Sequence, residues 1–461
     1  MYLQPLLAAL VALPAALAAI PIPDNLSGYA STLITRDVLV IGGGSSGTYT
    51  AIRLKSMGKT VAVVEKEATL GGHTNTFTDS VTGKTFDYGV IEFEDTPVVH
   101  AYAASLNISL VPLVLGTGAS YTADMRTGAS NKLPQGDIAT AITAYATQLA
   151  QYPFLSNGFN LPNPVPSDLL LPWGSFVQKY SLNAFAYTAF VYMQGVGNML
   201  ALPTLYVMKY FSPAVLSAIA TNGFLTTADS NNQRIYTNAA RVLGPDAILH
   251  SKVTTIIRNE LGVLAAVSTP TGTKLITAKK LVIAIPPKVA NLGFADLDSV
   301  ESNLFSQFGN GYYWDAVVRN SGIPDNATIS NADPAAPYGI PNLPSVYVVQ
   351  STGVPNLHSV YYGSTTAMSD DAVKTAMLTA VGKLAKALNG TSTGNAQLVG
   401  FNNHSPYELR VSSDAIQGGF YNRLEALQGR RKTWWVGAAW QAHDSSAIWQ
   451  NVEDSVLPAL M

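Results

Sequence analysis

Gly42, Gly44 and Gly47 stand at G-x-G-x-x-G spacing, with Gly43, Ser45 and Ser46 between them. This pattern serves phosphate binding. The first glycine permits a tight turn, the second lets backbone approach a pyrophosphate, and the third lets a helix pack closely on a strand. The amides that open the helix then face the phosphates. Glu65 follows about 20 residues later, where a carboxylate accepts ribose hydroxyls, and Lys66 stands beside it. The overlapping Gly43-Gly44-Ser45-Ser46-Gly47 also fits G-x-S-x-G, the serine elbow of α/β-hydrolases. That elbow follows several strands, whereas this segment follows the first one. A hydrolase would also leave Glu65 without a task. The pattern therefore predicts a dinucleotide site.

The elements that must position these residues follow from periodicity. Residues 37–41 read as an apolar strand, 46–57 as a helix stopped by Gly58, and 60–65 as a second strand, together a βαβ opening. Residues 120–240 read as mainly helical. Asp137 caps a helix with Ile138, Ala141, Ile142, Tyr145 and Leu149 on one face, and another starts at Ser167 and ends or kinks near Pro172. Residues 253–258 and 281–285 are apolar strands, the second closed by Pro286-Pro287. Residues 300–365 are strand-rich and aromatic. Ser369 caps an amphipathic helix that ends at Asn389-Gly390, and 434–460 read as strand, turn and helix.

Further blocks carry a resemblance. Leu70-Gly71-Gly72-His73-Thr74 resembles the second signature of the flavin-containing amine oxidoreductase superfamily, a Gly-Gly pair just beyond the ribose-binding acid. Phe86-Asp87-Tyr88-Gly89-Val90 resembles the strand that brings backbone to the isoalloxazine ring. Val282-Ile283-Ala284-Ile285-Pro286-Pro287 resembles the return to the cofactor domain. Gly47-Thr48-Tyr49-Thr50-Ala51-Ile52-Arg53-Leu54 and Trp435-Val436-Gly437-Ala438-Ala439-Trp440 look like the beta-cyclopiazonate dehydrogenase branch, oxidative cyclases of fungal secondary metabolism.

The resemblance implies FAD as cofactor. The implied cofactor contacts are Gly42, Gly43, Gly44, Ser46, Gly47, Glu65, Lys66, Gly71, Gly72, His73, Gly89, Val90, Val253 (whose backbone would hold adenine) and Gly437. It implies an α/β fold, a Rossmann-type FAD-binding domain interleaved with an α+β substrate-binding domain. The cofactor segments are 36–120, 245–290 and 410–461, and the substrate segments 121–244 and 291–409.

The chain departs from amine oxidases at three points. His73 replaces an arginine after the Gly-Gly pair. Ala438 and Ala439 stand where an acid usually follows Gly437. The expected strand 309–319 carries no lysine to sit beneath flavin N5. His73 is assigned to the pyrophosphate, with a covalent flavin link as the alternative. His443, in the C-terminal segment, is the candidate acid or base; Asp444 beside it reads as a helix cap. Tyr312, Tyr313, Trp314 and Trp440 form either a cage over the flavin or plain core.

Composition excludes other classes. Of 461 residues, 48% are apolar and 12% charged, and the net charge is −2, so the chain supports a large core and offers no basic surface to nucleic acid. It has no cysteine, which removes disulfides, thiolate metal sites and cysteinyl-flavin links. The histidines show no metal-ligand spacing, so no metal is expected. The apolar run 6–19 and small-x-small Ala16-Leu17-Ala18 read as a signal peptide over 1–18, followed by a Pro/Ser/Gly linker to about residue 35. Secretion and glycans at Asn25, Asn107, Asn326 and Asn389 are expected, while Pro406 weakens the sequon at Asn403. The expected activity is oxidation of a C–H or C–N bond in an apolar, nitrogen-containing small molecule, with ring closure as in secondary metabolism and O₂ as electron acceptor. An amine or L-amino-acid oxidase and a non-catalytic FAD-binding protein are the alternatives.

Overall fold

The apolar run after Arg36 decides the centre of the molecule. Val38 and Val40 face one core cluster while Leu39 and Ile41 face another, so this strand is buried on both sides. The computed structural model describes residues 20–114, 118–133, 136–389 and 395–461. In it, the strand Ile34–Ile41 lies between Gly272–Ile283 and Val61–Val64, parallel to both. Ala247–Ile248 extends this sheet parallel to Val61–Val64, and Thr433–Trp435 joins it parallel to the end of Gly272–Ile283. Lys252–Asn259, Gly262–Thr269 and Gly272–Ile283 form an antiparallel meander on the other side. The helix Ser45–Ser56 connects the first two strands, as the βαβ pattern predicts.

A second sheet runs Gln397–Asn403, Gly309–Arg319, Leu357–Ser364, Ser345–Ser351, Thr328–Asn331, Ser120–Ala123 and Ser130–Asn131, with Tyr407–Arg410 paired to the start of Gly309–Arg319. Its strand Gly309–Arg319 has the predicted bounds. Alternation splits that strand. Trp314, Ala316 and Val318 pack under the helix Asp370–Asn389 with Val373, Met377 and Val381, while Tyr313 and Asp315 point the other way, into a cavity. Ser369 caps that helix through Ala372 N–H, and Asp137 caps Ile138–Leu149 through Thr140 N–H.

Two segments differ from the sequence reading. The expected N-terminal linker is a packed 3-10 helix, Asp24–Thr32, because Ile20 and Leu26 find an apolar seat on Leu264, Ala266 and Leu275 of the meander. The helix Gln233–Leu243, expected in the substrate part, buries Ile235, Tyr236 and Leu243 beside Tyr49 and Val63 of the nucleotide fold. The signal-peptide reading over 1–18 lies outside the described residues. Among the described residues no helix is long and apolar enough to cross a membrane.

Candidate active site

The two glycine motifs interlock. Gly42 has φ +96°, and a Cβ there would stand 2.7 Å from Ile285 Cγ2. A Cβ at Gly47 would stand 2.0 Å from Gly42 O, so the helix rests directly on the turn. Gly71 N–H donates to Gly43 O at 2.8 Å, and Gly44 bridges to Gly71. Gly72, at φ +59°, would bring a Cβ within 2.9 Å of Gly44 Cα. Gly44 itself faces open space, with only Gly72 Cα near, at 3.7 Å. The result is a cradle of bare backbone at the start of a helix, suited to an anionic pyrophosphate.

Glu65 fixes this turn from below. Its carboxylate accepts Gly43 N–H at 2.7 Å and Glu67 N–H at 2.9 Å. Each oxygen keeps a second lone pair, so ribose hydroxyls can still donate to it. Ser46 lines the same end and stands beside Gly437, at φ +112°. Lys66 sits at the exposed rim, paired with Glu67. Gly89 is tied to the Gly-Gly loop, since a Cβ there would stand 2.1 Å from His73 O, and Val90 N–H donates to that oxygen. Val253 does not line this space. It lies in the meander, and it is His250 and Ser251 whose N–H groups bond the carbonyls of Glu67 and Glu65.

The cradle opens into one continuous cavity of about 1170 Å³. That exceeds the ~300–1,000 Å³ of a usual small-molecule pocket, leaving room for a dinucleotide and a further ligand. Its far end is aromatic, with Tyr192, Tyr210, Tyr313, Tyr361 and Tyr407 on the wall. Of the expected aromatic cage only Tyr313 lines it. Tyr312 and Trp314 face the helix on the other side of the sheet, and Trp440 stacks on Trp435 in the core.

Three imidazoles meet where the cradle joins the aromatic end. His73 lies 4.6 Å from His404 and 6.2 Å from His443, ring centre to ring centre. Tyr407 stacks on His443 at 4.0 Å. His443 Nε2 accepts the backbone N–H of Glu408 at 2.9 Å. Burial, aided by His404, pushes the His443 pKa down to about 3. With its Nε2 lone pair taken by Glu408 N–H, the neutral ring carries its proton on Nδ1. Burial, with His404 and His443 nearby, also holds His73 well below its usual range.

His404 differs from its neighbours. Its Nε2 meets Asp315 Oδ2 at 2.6 Å, and Asn402 Nδ2 donates to Asp315 Oδ1 at 2.8 Å. Both members of the pair are buried, Asp315 completely. Glu92 and Glu408 also face the cavity, and burial pushes both carboxyls up to about 7. Glu408 adopts φ +50°, a conformation that costs an ordinary residue of order 1–3 kcal/mol. The sequence reading missed all four of these residues. The available signal was Asp315 alone, a single charge inside the apolar run 312–318.

Comparison with known proteins adds to this geometry. Residues 40–106 match the model of the NAD(P)-binding Rossmann-like domain. FAD-dependent oxidoreductase oblC of Cochliobolus heterostrophus is 40% identical, covering 94% of this chain and 92% of its own. The chain belongs to this family of FAD-dependent oxidoreductases. FAD-dependent oxidoreductase pigF of Monascus ruber is 36% identical (95% and 93% covered), and beta-cyclopiazonate dehydrogenase of Aspergillus oryzae 34% (90% and 91%). Among solved structures, a CLA-producing fatty acid isomerase from P. acnes matches with TM-score 0.76 at 19% identity, covering 92% of this chain and 98% of its own. A putrescine oxidase matches with TM-score 0.65 at 16% identity (93% and 99%). These two establish a shared fold. In this FAD-dependent oxidoreductase the strand Gly309–Arg319 turns Tyr313 and Asp315 to the cavity and carries no lysine.

Proposed function

We propose that the protein is an FAD-dependent oxidase or dehydrogenase that oxidises a C–H or C–N bond of an apolar, nitrogen-containing small molecule, as in secondary metabolism. The observation that carries this reading is the single cavity joining a bare-backbone phosphate cradle to an aromatic end with buried acids. FAD fits the cradle on the chain's own terms. Gly44 and Ser46 would hold the pyrophosphate over the tight turn of Gly42 and Gly43, Glu65 the ribose, and Gly71, Gly72, Gly89 and Val90 the path between cradle and ring. Bound there, FAD supplies the two-electron chemistry. The protein's own part is to orient the substrate among the tyrosines, exclude water, and handle the proton.

The lining also bears on the substrate. No arginine of the described residues lines the cavity, while Glu92, Glu94, Glu408 and Asp444 do. A free carboxylate would need an arginine clamp to repay its desolvation. This disfavours an amino-acid oxidase and favours a neutral or amine-bearing ligand. The names of the relatives support an oxidoreductase over a non-catalytic FAD carrier.

The test is anaerobic mixing of the purified yellow protein with benzylamine, tryptamine and indoline. Bleaching of the flavin colour by an apolar nitrogen compound supports the reading. Bleaching by amino acids alone would replace it with the amino-acid oxidase. A protein that purifies without flavin and takes none up would overturn it. We further propose that O₂ reoxidises the protein, checked by peroxide release, and that it enters the secretory pathway. Exposure of Asn25, Asn107 and Asn326 is compatible with glycans; a mass shift on glycosidase treatment checks it.

A further inference from the structure

We propose that His404, held by Asp315, is the proton acceptor of this oxidation, with Asp315 as its positioning residue. The proposal rests on the oxidoreductase reading above. It starts from a difference among the three clustered imidazoles. His443 has its Nε2 lone pair occupied by the Glu408 N–H, and no carboxylate of the described residues is paired with His73. His404 alone has a carboxylate within hydrogen-bond distance, at 2.6 Å. A positive charge arriving in the cluster is stabilised best there, since the next carboxyl, that of Glu408, stands 3.9 Å from His443. Burial holds both other rings neutral, so they do not compete for that proton.

The geometry follows a general requirement for a base, which must itself be oriented by a third group. Asp315 is anchored in turn. It sits in the middle of the strand Gly309–Arg319, paired to Tyr361 on one side and Asn402 on the other, and takes the Asn402 amide on its second oxygen. His404 is fixed as well by its backbone N–H on Tyr313 O. With Nε2 committed to Asp315, Nδ1 is the nitrogen left to exchange a proton. Both residues line the cavity. The titratable groups that surround His404 are Asp315, Tyr313 and Tyr361 from the sheet, His73 from the Gly-Gly loop, Tyr407 and Glu408 beyond its own loop, and His443 from the C-terminal segment.

The step balances for a substrate bearing an H–C–N–H unit. A C–H and an N–H bond break and a C=N bond forms. The electron pair leaves with the carbon-bound hydrogen to the flavin oxidant, and the nitrogen-bound proton goes to His404 Nδ1.

Two measurements test this. The first needs no substrate. The FAD-loaded protein labelled with ¹⁵N-histidine carries six histidines. A strongly downfield imidazole N–H resonance is expected, lost in His404→Gln and in Asp315→Asn but retained in His443→Gln. Its absence from the wild type, or its survival in Asp315→Asn with FAD content intact, overturns the pairing.

The second measures flavin reduction by whichever probe bleaches the wild type. His404→Gln is expected to slow reduction by about 10²–10⁴-fold with KM within threefold. Added imidazole should restore rate to His404→Gly but not to Asp315→Asn. Reduction within threefold of wild type in His404→Gln overturns the proton-acceptor role. If no probe bleaches the wild type, the proposed substrate class fails on its own test, and the resonance still decides whether the His404–Asp315 pair exists.

Discussion

Gly47→Ala tests the cradle most directly. The added Cβ would stand 2.0 Å from Gly42 O and 2.9 Å from Ala284 Cβ, where real contacts are not found below 3.0 Å. The helix Ser45–Ser56 must retreat by about 1 Å, because neither backbone oxygen nor strand can give way in a close-packed interior. Overpacking of this kind costs about 1–3 kcal/mol. If that strain is expressed where the helix start meets the pyrophosphate, Kd for FAD rises about 5- to 150-fold. Titrating the stripped protein with FAD and following quenching of flavin fluorescence reads this, with circular dichroism as the control for folding. Gly44→Ala separates cradle from packing. Its Cβ meets nothing closer than Gly72 Cα at 3.7 Å, so the apoprotein should melt as wild type does while FAD binding is lost. The reasoning is refuted if Gly47→Ala binds FAD within twofold of wild type at an unchanged Tm, or if Gly44→Ala binds it normally.

Three other expectations follow from burial and charge. Gly382→Ala, within the helix Asp370–Asn389 with nothing inside 4 Å of the new Cβ, should stabilise the protein by about 0.5–1 kcal/mol and raise Tm; a lower Tm contradicts it. Arg258 is fully buried and pairs with Glu301 at 2.8 Å and Asp296 at 2.7 Å, so Arg258→Ala leaves a buried carboxylate exposed to no partner of equal strength and should cost about 3–5 kcal/mol, read as a drop in Tm. Burial pushes the carboxyls of Asp87, Glu92, Glu408 and Glu425 up to about 7. A raised carboxyl pKa stabilises the fold below its unfolded value and loses that contribution as pH rises through the folded value. Tm of the apoprotein should therefore climb as pH falls from 8 to about 6.5. Below that, the depressed pKa values of His73, His358 and His443 act in the opposite sense and flatten the curve; a Tm that falls from pH 8 to 6.5 rules the account out.

The cofactor half of the site was legible because its residues are bound by local geometry. A tight turn, a helix start and a strand-end acid must lie at short, fixed spacings, so Gly42, Gly44, Gly47 and Glu65 announce themselves. The Gly-Gly pair was legible as a resemblance, and the structure adds its physical cause, the close approach of Gly72 to Gly44. The reacting half was not legible. Asp315 and His404 are 89 residues apart, and only the pairing of Gly309–Arg319 with Gln397–Asn403 brings them together. His404 stood inside the sequon at Asn403 and was noticed only as part of it. His443 drew attention as a lone histidine near the cofactor, but its burial and its backbone bond to Glu408 come from distant parts of the chain. The helix Gln233–Leu243 was misplaced for a similar reason: its apolar stripe shows that it packs, but not on which core.

The weave of the chain has a consequence for how such a protein diversifies. The second sheet and its helices are two inserts, each leaving and rejoining the nucleotide sheet: one between Val61–Val64 and Ala247–Ile248, the other between Gly272–Ile283 and Thr433–Trp435. No single cut separates the two layers, so recombination at one crossover would sever a strand order that only the whole chain completes. Exchange of ligand range by shuffling modules would need two matched junctions for each insert. The simpler route is replacement of individual side chains on the cavity-facing positions of an inherited frame. Relatives with the same cradle would then be expected to differ first at positions such as Tyr192, Tyr313 and Tyr407, and an engineer seeking a new substrate should start there rather than with a graft.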